Sequence, residues 1–169
     1  MRTGIFGGTF DPIHYGHLRI AETAREALGL DEVLFVPVGE PVHRDDAPGA
    51  GREERYQMCV LATQGNPAFR VSRVETDNPE AAYTVDTLAA LEPELRGSSL
   101  FLLMGADEAV QFAGWRFPRE ILKVVRIAVA TRPGLAEPCI RDAMPVWVEE
   151  LEGVPAAQAV DRARLGPFA

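Results

Sequence analysis

Residues 4–18 read GIFGGTFDPIHYGHL, an apolar strand, a glycine-rich turn and the start of an amphipathic helix. Gly7 and Gly8 carry no Cβ, so an anionic group can approach this turn closely. The following helix would direct its first N–H groups and its positive dipole end toward the same place. His14 and His17 lie three residues apart, which puts both imidazoles on one face of a helical turn. The stretch therefore predicts a binding site for a phosphate group.

Strand-like and helix-like segments alternate along the rest of the chain. The predicted strands cover 2–6, 33–38, 69–75, 99–104, 125–131 and 145–150, and the predicted helices cover 16–28, 52–64, 84–95 and 117–123. Gly29 is expected to end the first helix, and Thr84 to be the N-cap of the third. This alternation predicts an α/β fold, a Rossmann-like doubly wound parallel sheet in a single domain. Its ligand would lie at the carboxyl ends of the strands.

Composition restricts the classes of function. The 169 residues suffice for one compact domain, and 47% hydrophobic and 25% charged residues are ordinary proportions for a globular protein. A net charge of −8 argues against nucleic-acid or membrane partners but is compatible with a small anionic ligand. No apolar run could span a membrane, no signal-peptide pattern precedes the first strand, and Cys59 and Cys139 lack metal-ligand spacing. We predict a cytoplasmic monomer or homo-oligomer with reduced, structural thiols.

Further motifs follow the first one in an order that resembles a known family. They are GGTFDPIHYGH at 7–17, PVGEPVHR at 37–44, RYQM at 55–58, YTVDTL at 83–88, GAD at 105–107, Trp115 and RPG at 132–134. Together they resemble the nicotinate-nucleotide adenylyltransferases, within the His-x-Gly-His nucleotidyltransferase superfamily. The resemblance covers residues 4 to about 155.

The resemblance implies adenylyl transfer from ATP to nicotinate mononucleotide, which forms nicotinic acid adenine dinucleotide and pyrophosphate in NAD biosynthesis. Mg²⁺ would be carried by ATP, and no metal site on the protein is expected. Catalysis of such a transfer is mostly positioning and neutralisation of charge on phosphate oxygens. His14 and His17 are the catalytic candidates, because an imidazole N–H can donate to those oxygens. A pair of histidines in isolation would instead indicate a solvated turn or a helix cap.

The same resemblance implies two groups of binding residues. The nucleotide-binding candidates are Gly7, Gly8, Thr9, Phe10, Arg44, Gly105, Asp107 and Arg132, and the substrate-binding candidates are Tyr83, Thr84 and Trp115. The turn at 7–10 would supply backbone N–H groups and one hydroxyl. Asp107 would contact ribose hydroxyls, with helix capping as the alternative. The Trp115 ring would stack on the pyridine, with core packing as the alternative. Asp11 is given a structural role in the turn.

The resemblance ends after residue 155. Family members continue with Ile-Ser-Ser-Thr-x-x-Arg, a segment that holds ATP phosphates, whereas no serine or threonine follows residue 131 here. We therefore predict a nucleotidyltransferase domain at 1–155, an atypical tail at 156–169, and weak binding of ATP. Two alternatives stay open: a catalytically weak nucleotide-binding module, and an adenylyltransferase for another acceptor such as nicotinamide mononucleotide or pantetheine phosphate.

Overall fold

The structure is a computed structural model that describes residues 1–40, 48–78, 80 and 82–130. Its strands are β1 (Arg2–Gly8), β2 (Glu32–Pro37), β3 (Phe69–Val71), β4 (Ser99–Gly105) and β5 (Val125–Ala130). They form one parallel sheet in the order β3-β2-β1-β4-β5. The order reverses direction between β1 and β4, which is where doubly wound sheets bind their ligands. The predicted Rossmann-like fold is confirmed.

The helices are α1 (Tyr15–Leu28), α2 (Arg52–Thr63), α3 (Thr84–Leu95), α4 (Ala106–Ala109) and α5 (Pro118–Val124), with a 3₁₀ turn at Phe112–Gly114. Gly29 adopts a left-handed conformation with φ of 59° and ends α1, as predicted. The predicted N-cap of α3 is wrong by one residue, because Tyr83 occupies that position and Thr84 is already helical. The Asp86 carboxylate accepts the Tyr83 N–H at 3.3 Å and closes this helix start.

Alternate residues of each strand point to opposite faces of the sheet, and helices pack against both faces. Ile5, Leu34 and Leu102 pack in a core cluster with residues of α3 and α5. Phe6, Phe35 and Leu103 pack in a second cluster with residues of α1 and α2. Cys59 of α2 is a buried free cysteine in the second cluster, and burial raises the pKa of its thiol to about 12.

The third strand is shorter than predicted. The sequence pattern extends to residue 75, but β3 ends at Val71. The chain then turns, because the Asp77 N–H donates to the Arg73 carbonyl at 2.8 Å and the Asn78 N–H donates to the Glu75 carbonyl at 3.1 Å. This turn carries Glu75 into the interior, where 8% of its surface is exposed.

Several predictions lie outside the described residues. They concern Arg44, Arg132, Cys139, the strand at 145–150 and the tail at 156–169. The division into a domain at 1–155 and a tail therefore stays a prediction. Among the helices that the structure describes, none is long and apolar enough to cross a membrane.

Candidate nucleotide and acceptor site

A cavity of about 310 Å³ opens at the carboxyl ends of β1 and β4. Gly7, Gly8 and Thr9 line it from the end of β1 and the turn that follows. The wall also contains Tyr83 and Thr84 from the start of α3, together with Trp115. The fold thus brings residues more than 100 positions apart in the sequence into one cavity, and all three predicted acceptor-binding residues line it.

The two histidines of the motif form a stacked pair at the start of α1. Their ring centroids are 3.8 Å apart, with 25° between the ring planes. His14 is the N-cap residue of α1, and its backbone N–H donates to Nδ1 of His17 at 3.2 Å. Because Nδ1 acts as the acceptor, a neutral His17 ring carries its proton on Nε2. The local backbone thus makes His17 Nε2 a hydrogen-bond donor.

Aromatic packing fixes the orientation of the pair. The Phe10 ring meets the His17 ring edge to face, with centroids 5.1 Å apart. Phe10 itself is 2% exposed and belongs to the core, so its ring serves packing and is not available to a ligand. Gly16 leaves room for the pair, because a Cβ there would lie 3.0 Å from two atoms of the His14 ring. A Cβ on Gly8 would likewise lie 3.0 Å from the Phe10 ring.

A buried arginine, Arg55 of α2, forms hydrogen bonds with three separate segments of the chain near the cavity. Its side chain is 1% exposed. The guanidinium donates to the carbonyls of Ala50 at 3.2 Å, Thr9 at 2.9 Å and Gly39 at 2.7 Å, and also to that of Val38. The glycine-rich turn, the end of β2 and the segment before α2 therefore share one hydrogen-bonding centre. Residues 55–58 were matched to the family as a motif, but no role was predicted for Arg55.

Asp11 contributes to the same anchoring from the other side. Its carboxylate accepts the N–H of Gly49 at 2.7 Å and the N–H of Ala50 at 3.2 Å. Asp11 therefore has a structural role, and it attaches the glycine-rich turn to the residues that precede α2.

A buried carboxyl group, that of Glu75, lies in the cavity wall. Glu75 accepts a hydrogen bond from the Thr87 hydroxyl at 2.6 Å and from the Gly39 N–H at 3.3 Å. Burial raises the pKa of Glu75, and these two donors and the Arg55 charge offset only part of that effect. The Glu75 carboxyl therefore takes up a proton more readily than an exposed glutamate does.

Three of the described nucleotide-binding candidates, Phe10, Gly105 and Asp107, do not line the cavity, and neither do the two catalytic candidates, His14 and His17. Gly105 is the N-cap residue of α4, and its N–H donates to the Glu108 carboxylate at 3.0 Å. Because Glu108 closes this helix start, the alternative that Asp107 caps the helix is wrong, and Asp107 is exposed in the first turn. The two basic nucleotide-binding candidates, Arg44 and Arg132, lie outside the described residues.

Trp115 takes part in both packing and the cavity. It is half-buried, its ring centroid lies 5.4 Å from that of Phe112, and it packs against the core cluster below α3. It also lines the cavity. Core packing and a binding surface are therefore compatible at this residue.

Sequence reasoning missed several charged and polar residues of the cavity wall. They include Arg116, Glu108 and Gln111, in addition to Glu75. A signal for Arg116 was present, since it stands between two aromatic residues, Trp115 and Phe117. Within the ranges that the structure describes, no group of three or more histidine, cysteine, aspartate or glutamate side chains is arranged to hold a metal ion.

A family model described as cytidylyltransferase-like matches residues 5–161. The chain belongs to the cytidylyltransferase-like family. The probable nicotinate-nucleotide adenylyltransferase of Pelobacter propionicus is 38% identical over 162 residues, which are 95% of this chain and 75% of that protein. This relative confirms the family resemblance drawn from the motifs.

With other relatives, the aligned region covers a smaller share of the relative's length. The probable nicotinate-nucleotide adenylyltransferase of Moorella thermoacetica is 47% identical over 134 residues, which are 79% of this chain and 62% of that protein. The chain spans less than two thirds of the length of the first curated relatives it matches, at 62% to 63%.

A solved structure supports the fold. The nicotinic acid mononucleotide adenylyltransferase of Plasmodium falciparum, complexed with NaAD, has a TM-score of 0.71 and 17% sequence identity to this chain. The match covers 85% of this chain and 71% of that one.

Proposed function

We propose that this chain transfers the adenylyl group of ATP, bound with its Mg²⁺, to nicotinate mononucleotide. The observation that carries the proposal is that the glycine-rich turn, Tyr83, Thr84 and Trp115 all line one cavity. A phosphate at the turn and a pyridine ring at the aromatic end match the two ends of this acceptor. The names of the relatives support the same reaction. The Plasmodium protein was solved in complex with NaAD, which agrees with the product of the proposed reaction.

In the proposed reaction, an oxygen of the acceptor's 5′-phosphate attacks the α-phosphorus of ATP. The new P–O bond forms as the bond from the α-phosphorus to the bridging oxygen breaks, and pyrophosphate leaves with that electron pair. The attacking phosphate is already ionised at neutral pH, so the enzyme needs no strong general base. Mg²⁺ would enter as part of the ATP substrate, because this ion binds mainly through phosphate oxygens and water in such sites.

The histidine pair would stabilise the charge that develops on the α-phosphate oxygens. His17 offers an Nε2–H donor whose tautomer is set by the His14 N–H on Nδ1. Donors that are oriented before the reaction gain more free energy in the transition state than donors that must reorganise. The Gly7, Gly8 and Thr9 backbone would hold a phosphate beside them.

The experiment that tests this function compares phosphate acceptors. Purified protein is incubated with ATP, Mg²⁺ and one of nicotinate mononucleotide, nicotinamide mononucleotide or pantetheine phosphate, and both products are quantified. We expect pyrophosphate and dinucleotide in equal amounts, with the highest kcat/KM for nicotinate mononucleotide. A higher value for another acceptor would reassign the substrate. Binding of ATP and mononucleotide without product would indicate a nucleotide-binding module instead.

Replacing Trp115 with alanine should weaken nicotinate mononucleotide on the order of tenfold and leave ATP nearly unaffected. Only the pyridine ring is expected to stack on the indole, and stacking adds free energy beyond simple burial. Calorimetric titration with each ligand measures both effects. Tyr56→Ala is the matched control. Tyr56 belongs to α2, its ring packs against the Arg73 guanidinium, and it does not line the cavity. Equal losses for both ligands would show that Trp115 acts only through packing.

A further inference from the structure

Arg116 is held at the cavity by aromatic rings. Its Cζ atom lies 4.7 Å from the centroid of the Tyr83 ring and 5.3 Å from that of Phe117, and the residue lines the cavity. Stacking on ring faces leaves the N–H donors in the guanidinium plane available. Arg116 makes no hydrogen bond or ion pair with any other residue that the structure describes. The two aromatic rings therefore orient the Arg116 side chain, and no carboxylate among the described residues pairs with it.

The charge balance of the cavity wall gives this arginine a distinct role. The other charged side chains of the described wall are Glu75 and Glu108, both acids. Each is already bonded by donors of the protein: Glu75 by Thr87 and Gly39, and Glu108 by the Gly105 N–H. Arg116 is the cation that the described wall offers to an anionic group of a ligand.

The position of Arg116 indicates which anionic group it meets. The phosphate would lie at the glycine-rich turn, whereas Arg116 directly follows Trp115 at the aromatic end of the cavity. A forked guanidinium matches a planar carboxylate through paired N–H donors, but a neutral carboxamide gives it only one acceptor oxygen. We propose that Arg116 is a specificity-determining residue that selects an acceptor with a pyridine carboxylate over one with a pyridine carboxamide. The proposal rests on the proposed function.

The test measures acceptor preference in wild type, Arg116→Gln and Arg116→Lys. We expect Arg116→Gln to lower kcat/KM for nicotinate mononucleotide on the order of 10- to 100-fold, because a charge-assisted hydrogen bond is lost. The value for nicotinamide mononucleotide and the KM for ATP should stay close to wild type. Arg116→Lys should keep part of the preference, since it retains the charge but not the fork. Arg96→Gln is the matched control, an exposed arginine at the far end of α3 that pairs with Glu92.

Direct titration of each mononucleotide, without ATP, separates this proposal from the proposed function. If wild type binds the nicotinate form more tightly and Arg116→Gln loses that preference, the inference stands even where no dinucleotide forms. An unchanged preference in Arg116→Gln would overturn it. Equal losses for the two mononucleotides would also overturn it, because they indicate a packing role. Failure of wild type to bind either one would overturn both proposals.

Discussion

Replacing His17 with alanine should lower the rate of adenylyl transfer on the order of a hundredfold or more, with the fold retained. The loss follows from removal of a donor to the transition state, for which such magnitudes are typical. The fold should survive, because His17 is only half-buried and contributes one ring to the aromatic packing around Phe10. Steady-state kinetics together with circular dichroism measure the two effects. A loss below tenfold would contradict the catalytic role.

Two further substitutions separate the donor from the helix cap. In His17→Asn, the amide oxygen can take the place of Nδ1 and accept the His14 N–H, but no donor remains at the Nε2 position. In His17→Gln, an amide N–H can reach the Nε2 position while the cap is lost. We expect the asparagine variant to be as slow as alanine and the glutamine variant to be faster than both. The reverse order would assign His17 to helix capping.

Replacing Arg55 with methionine should destabilise the protein by roughly 3 kcal/mol or more. The substitution leaves four carbonyl groups of three loop segments without their shared donor, in a region where water is excluded. For a chain of this size the loss corresponds to roughly 6–12 °C in melting temperature. Calorimetric or circular-dichroism melting measures it.

Arg55→Lys and Arg96→Met complete that experiment. Lysine keeps a charge but has no planar fork to reach carbonyls on several segments, so its melting temperature should fall between those of wild type and Arg55→Met. Arg96→Met removes an exposed arginine and should melt close to wild type. If Arg55→Met melts like Arg96→Met, the guanidinium is not the centre that joins these loops.

Most of the fold was predictable from local pattern. The apolar run at 33–38 has the composition of a strand buried on both faces, and β2 covers 32–37. The predicted helix at 84–95 coincides with α3. The strand predicted at 69–75 failed after Val71, because the chain there enters a turn that buries Glu75. The buried residues of this turn, Ser72, Glu75 and Thr76, are polar, so a pattern of apolar residues gives no sign of them.

The candidate site was predictable where a motif carried it. The glycine-rich turn, the histidine pair, Tyr83, Thr84 and Trp115 were all selected from the sequence, although their roles stay predictions. Arg55 and Glu75 were missed, because a charged residue is normally exposed and no local pattern shows that its partners are carbonyl groups or hydroxyls from distant segments. The partners of Arg55 lie up to 46 positions away. Such burial is a property of the assembled fold.

The anchoring of Gly39 and Ala50 has an evolutionary consequence. Arg55 binds the carbonyls on both sides of the intervening segment, and Asp11 holds the N–H groups of Gly49 and Ala50. The two ends are thereby fixed by groups that lie outside the segment. These hydrogen bonds use no side chain between Gly39 and Ala50, so they place no constraint on which side chains stand there, and selection on that stretch, which includes the candidate Arg44, can act on ligand binding separately from the fold.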